Sequence, residues 1–224
     1  MRTASNQLGV SSFMKQFLPS VVLTVFVSPY LAAETNPLPE GFTKPTFSYT
    51  QIGFQYGYID LKTNILTPDG TYDKVDAVEF AGSYQIAQNL FIGAQFSRAD
   101  EKKQRSEVEV SSGTLFLGMP LDASENVDLV PKIGVGEFNA EVCGDNRCFS
   151  DSDTAVVFGA ELRVFAIPNT LELKLGVHDN TLEGSDPYYT IGLAGWAMRH
   201  HRLSFEYTDA DEIRGYGLGY SFNW

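Results

Sequence analysis

From Phe47 to Trp224 apolar residues recur at every second position, in ten segments of about 9 to 17 residues separated by turn chemistry. A period of two places alternate side chains on opposite faces of an extended strand, and no stretch sustains the i, i+3, i+4, i+7 stripe of a helix. One parity runs Ile52, Phe54, Tyr56, Tyr58 in the first segment, Val78, Phe80, Gly82, Tyr84, Ile86 in the second, Leu171, Leu173, Leu175, Val177 in the seventh, and so on through all ten without a charge. The other parity carries Glu79, Asp128, Lys132, Glu161, Arg163, Glu172, Lys174, Arg202 and Glu206, together with Gln55, Gln95, Ser97, Thr114 and many glycines, among them Gly93, Gly134, Gly159 and Gly217. The chain is therefore expected to be all-β.

A two-layer sandwich in water also alternates, so the polar parity has to be assigned to a side. Bulk water favours long charged and β-branched side chains on a strand face, whereas strand glycine marks crowding or close approach. Small, polar and charge-balanced positions opposite an aromatic-rich, uncharged face fit the inside of a closed barrel whose outside meets lipid. Backbone groups in hydrocarbon must be satisfied internally, so only helices and closed barrels span a bilayer. The mean hydropathy of -0.12 is close to that of a water-soluble domain, so composition alone does not announce a membrane protein. The expected fold is a transmembrane antiparallel up-and-down β-barrel of ten strands, with eight as the alternative. At about 9 to 11 residues per spanning strand, ten strands need roughly 100 residues, which the chain supplies.

Residues 1–33 hold Arg2 and Lys15 and no acid, then an apolar run from Phe17 to Leu31 and the small pair Ala32-Ala33. That is the order of a secretory signal peptide. Pro19 and Pro29 interrupt the run, which is shorter than the ~20 residues of a spanning helix. Cleavage after Ala33 leaves 191 residues (224 - 33) with 14 bases against 28 acids, a net charge of -14. Residues 34–45 are expected to form a loose leader, and 46–224 the barrel. So acidic a chain lacks the basic footprint that nucleic acid requires. Cys143 and Cys148, the only cysteines, are expected to be exported and joined as a disulfide at a loop tip, since a metal site would need two further ligands. His200-His201 likewise offers too few ligands, so neither metal nor cofactor is expected.

The ending Tyr216-Gly-Leu218-Gly-Tyr220-Ser-Phe222-Asn-Trp224 resembles the last strand of bacterial outer-membrane β-barrel proteins, and Gly93-Ala-Gln-Phe, Leu117-Gly-Met and Ile133-Gly-Val-Gly resemble strand repeats of small OmpA- and OmpX-type and porin-like barrels. The resemblance implies that Tyr216, Leu218, Tyr220, Phe222 and Trp224 form the signal read by the barrel-assembly machinery. It also implies an integral outer-membrane location and lipopolysaccharide as a neighbour; a monomer is expected. Short connections at Ala87–Asn89, Pro120–Glu125, Ala166–Thr170 and Arg199–His201 belong on the periplasmic side. Longer ones at Asp60–Lys74, Arg98–Ser106, Cys143–Asp151 and Asp179–Pro187 belong outside, with Asp209–Ile213. Pro131 within a strand, and Val108 and Val110 on the parity opposite Leu115 and Leu117, are expected to require bulges, or for the valines an extension beyond the lipid.

Function is expected to lie in the lumen. Five acids and four bases suit a paired network that closes a narrow barrel, giving a structural or interaction role with no catalytic residues. A narrow polar channel for small solutes is the alternative. A surface hydrolase of omptin or lipid A-modifying type is a further one, because ten-stranded omptins use Asp and His at the outer rim and His178-Asp179, with Asp186, falls near it. The acids Asp69, Asp73, Asp145, Asp151, Asp153, Glu183, Asp186, Asp209, Asp211 and Glu212 are expected to form an acidic outer rim, able to share divalent cations with lipopolysaccharide phosphates.

Overall fold

The computed structural model describes Phe47 and residues 49–67, 70–144, 147–198 and 200–224, with the backbone alone at 63–67 and 70. The signal-peptide and leader segments lie outside the described residues. Strands run in chain order β1 (Gln51–Thr67), β2 (Gly70–Ala87), β3 (Leu90–Lys102), β4 (Ser106–Gly118), β5 (Leu121–Ser124), β6 (Val127–Gly144), β7 (Arg147–Ile167), β8 (Leu171–Asn180), β9 (Tyr188–Ala197), β10 (His201–Asp209) and β11 (Ile213–Asn223). Every neighbour is antiparallel, and β1 pairs with β11, so the sheet closes on itself. No helix among the described residues is long and apolar enough to cross a membrane.

Eleven strands make a ten-stranded wall. Gly118 faces Lys132, and beyond Met119-Pro120 Leu121 faces Leu129 in the same register, so β4 and β5 are one wall strand interrupted by a proline. Pro131 sits opposite that interruption without disturbing the β6–β7 register. Its carbonyl accepts from Met119 N at 3.0 Å, so its nitrogen faces the same side, where the neighbouring chain breaks from β4 into β5. The missing donor thus costs little, and the expected bulge is absent. The β3–β4 and β4–β6 registers are also uninterrupted through Ser111–Gly113, which leaves the outer extension as the explanation for Val108 and Val110.

Stepping between partners from Gln51 through Ser83, Gly93, Phe116, Gly134, Val157 and Asn180, and extending the β9, β10 and β11 registers, returns to β1 at position 63, twelve residues along. With the standard rise and strand spacing, that stagger sets a tilt of about 40° and a radius of about 10 Å. Side chains can fill such a lumen.

The outward parity is exposed and apolar as expected, from Ile52 and Phe54 round to Leu203 at 66% and Leu218 at 67% exposed. Several expected outer loops are strand instead. β1 and β2 continue to Thr67 and Gly70, β3 and β4 to Lys102 and Ser106, and β6 and β7 past Cys143 and Cys148, which are disulfide-bonded as expected. The ladder is indifferent to side-chain polarity, so strands persist where the oily alternation stops. The near end of the barrel carries the β11 terminus and the short turns; the distal end carries these extensions.

Candidate functional site

The nine charged residues expected inside all point into the lumen and all are buried. Residues two apart on one strand share the inner face, and antiparallel neighbours bring those faces together, so the wall itself assembles the cluster. Glu172 of β8 is fully enclosed and accepts from Arg163 Nε at 2.8 Å, Arg202 Nε at 3.0 Å, Arg202 Nη2 at 3.2 Å and Trp196 Nε1 at 2.9 Å. Lys132 pairs with Glu161 at 2.7 Å, and Lys174 with Glu206. Arg163 and Lys174 are direct cross-strand partners of like charge, and each is offset by its acid: Glu172 on the next strand, Glu206 two strands on.

Two of the nine serve differently. Glu79 stands on β2 and accepts from Gln95 Nε2 at 2.9 Å. Asp128 accepts from the backbone N–H of Phe47 at 3.1 Å and the hydroxyl of Tyr49 at 2.7 Å. The network therefore comprises Lys132–Glu161, Arg163–Glu172–Arg202 and Lys174–Glu206 on β6 to β10, with Asp128 turned towards the N-terminal segment.

Apolar layers above and below this girdle were not legible as such in the alternation. At the near end Phe91, Phe116, Val130 and Phe165 point inward and enclose Phe47 and Tyr49, with Trp196 packed alongside. At the distal end Ile59, Leu61, Tyr72, Val75, Phe138, Tyr188 and Ile213 form a second buried cluster. The inward glycines are their counterpart. Phe116 faces Gly93 on β3 and Gly134 on β6, and Phe91 faces Gly118. A Cβ on Gly93 would overlap the Phe116 ring, and one on Gly118 the Phe91 ring. Aromatic residues opposite glycine on the charged parity were the available signal.

The His178-Asp179 pair is not assembled. Neighbours on a strand point to opposite faces, so His178 is buried in the lumen, stacked on Tyr188 at 5.0 Å with Nε2 4.0 Å from Glu161, while Asp179 lies on the outer face. Asp186 is exposed in the β8–β9 connection. In the near turn His200 Nδ1 lies 2.7 Å from Asn223 O, and His201 Nδ1 lies 2.8 Å from the Tyr220 hydroxyl on the outer wall.

Of the expected acidic rim, Asp73, Asp151, Asp153, Glu183, Asp186 and Asp211 are exposed; Asp69 and Asp145 fall outside the described residues. Asp209 instead pairs with Lys62 at 3.0 Å, and Glu212 is half-buried. On the outer face of the distal extension Arg98 bridges Asp100 at 3.3 Å and Glu109 at 2.9 Å. Hydrogen bonds to Glu107 and Asp60 hold the Lys102 and Lys74 ammonium groups above their ordinary range. Such exposed pairs contribute little stability each.

Neither a family profile nor a curated protein sequence matches the chain. Among solved structures it is similar to the attachment invasion locus protein Ail of Yersinia pestis, at 13% identity over 77% of this chain and 95% of that one, with a TM-score of 0.37. It is also similar to the translocator domain of the autotransporter NalP from Neisseria meningitidis, at 10% identity over 99% of this chain and 98% of that one, TM-score 0.46. The KdgM porin aligns at 8% identity over 77% of this chain and 99% of that one, TM-score 0.43. These neighbours are outer-membrane β-barrels, and the likeness is one of fold.

Proposed function

We propose that this chain is an integral outer-membrane barrel with a closed lumen, serving a structural or interaction role at the cell surface. The observation that carries the reading is the inversion of its two faces. Large apolar side chains ring the outside, while among the described residues nine acidic and basic side chains are enclosed, with His178 beside them. In water that arrangement exposes far more contiguous apolar surface than a soluble monomer tolerates. In a bilayer it is the arrangement of lowest free energy.

Closure rests on three layers in series. An ion-pair girdle spans the middle of the lumen, and an apolar cluster lies on either side of it. An ion entering a narrow passage must leave its hydration shell, and apolar constrictions give nothing in exchange. Lipid and lipopolysaccharide are the neighbours on this reading, and the exposed distal acids are suited to divalent cations bridging to phosphate. The Tyr216–Trp224 strand, whose alternate aromatics point outward beside β1, is the segment offered to the assembly machinery.

Two measurements test this. Protein refolded in detergent micelles is expected to migrate as a compact species until boiled; free solubility without amphiphile sinks the barrel-in-membrane reading. In planar bilayers the refolded protein is expected to show no reproducible open state. A steady conductance whose ion selectivity changes in Glu161→Gln or Lys174→Gln would establish the narrow-channel alternative instead.

A further inference from the structure

Phe47, Tyr49 and Thr50 sit at the near mouth of the barrel outside its wall strands. β1 begins at Gln51, which pairs with Ser83 and Asn223; of the described residues before it, Phe47, Tyr49 and Thr50, none is in a ladder. Yet Phe47 and Tyr49 are fully buried. The Phe47 ring stacks on Phe165 at 4.2 Å with the Arg163 guanidinium 4.2 Å from its centre. Tyr49 stacks on Phe91 at 4.9 Å, and Arg163 lies 5.2 Å from its ring. Beyond the aromatic contacts, the segment is held by two bonds to Asp128, by Ser83 Oγ to Tyr49 O at 3.4 Å, and by Gln85 N to Thr50 Oγ1 at 2.9 Å. Every one of these uses a side chain. The distal cluster differs, because most of its residues are borne on strands fixed by ladders on both sides.

We infer that the near mouth is a peptide-binding site filled in cis by Phe47, Tyr49 and Thr50, with Asp128 as its latch. The chemistry it recognises is an aromatic–X–tyrosine segment. Two rings enter an aromatic pocket roofed by a guanidinium, and one carboxylate takes both a backbone N–H and a phenol O–H. Stacking and cation–π contact supply the affinity, and the charge-assisted bonds to Asp128 set the register. A segment bound this way exchanges by local opening, without unfolding the wall. A periplasm-facing chain of the same pattern can therefore take its place. The inference stands apart from the closed-lumen reading, since it concerns the near mouth whether or not the barrel conducts.

A buried thiol under the segment reports on it. Val130→Cys in the full chain introduces the sole free thiol, because Cys143 and Cys148 are joined. Labelling by a charged maleimide is expected to be slow in this parent. In the Phe47→Ala/Tyr49→Ala and Asp128→Ala derivatives it is expected to be about tenfold faster or more, as local opening replaces global unfolding. A synthetic peptide of residues 43–51, TKPTFSYTQ, is expected to restore protection to the Phe47→Ala/Tyr49→Ala protein, whereas the same peptide with both aromatics replaced by alanine does not. Unchanged labelling in both derivatives overturns the inference, because the wall alone then closes the mouth. Faster labelling that the peptide cannot reverse overturns the binding site. If Val130→Cys fails to give the heat-modifiable form, iodide quenching of Trp196 in a Trp224→Phe background reads the same two outcomes.

Discussion

Glu172 is the residue on which the girdle depends, since one carboxylate compensates two buried guanidiniums and an indole N–H. Removing one member of such a buried set leaves uncompensated charge and costs about 3–5 kcal/mol. Glu172→Ala is therefore expected to lower the urea midpoint of the refolded protein far more than Glu79→Gln, where an amide still accepts from Gln95. Equal shifts in the two variants would show that ion pairing at Glu172 is unimportant. Gly93→Ala is a second residue-scale prediction. Its Cβ would meet the Phe116 ring, and overpacking of that kind costs roughly 1–3 kcal/mol, read in the same unfolding experiment.

Among the elements, β7 has an unusual distal half. It pairs with β6 as far as Arg147, but its pairing with β8 stops at Val157, so among the described residues one edge is open. Thr181 takes the last position on that edge, accepting from and donating to Val156. Beyond it, the free amides of Ser152 and Thr154 are capped by the carboxylates of Asp151 and Asp153, at 3.0 and 2.8 Å. An open edge otherwise templates pairing with another chain. Asp151→Ala/Asp153→Ala is expected to produce dimers by light scattering in detergent, while Asp151→Asn/Asp153→Asn, which keeps the acceptor oxygens, stays monomeric. Dimers in neither protein would mean that the caps are unnecessary. The disulfide at the tip of this hairpin closes a short ring, worth about 2 kcal/mol in an entropic account. Cys143→Ser/Cys148→Ser is expected to speed amide exchange in residues 141–150 and leave the barrel's heat-modified transition where it was.

For the whole molecule, the alternation was enough to specify strands, closure and which side is oily, because each depends only on period and on the cost of burying charge next to lipid. It placed Lys132, Glu161, Arg163, Glu172, Lys174, Arg202 and Glu206 in one lumen before any pairing was visible. It misjudged where strands end, since apolar alternation reports contact with lipid and stops at the membrane boundary, while backbone pairing at Glu107–Lys102 or Cys143–Cys148 continues. Parity put Phe91, Phe116 and Phe138 on the inner face, but it could not say how such rings fit there; Phe91 lies against Gly118 and Phe116 against Gly93 and Gly134, and those pairings depend on register. Which base meets which acid, and the burial of Phe47 and Tyr49 against Asp128 some eighty residues away, were decided by the closed ring alone. Local sequence fixes the face on which a side chain lies; the stagger of ten strands fixes what it meets across the lumen.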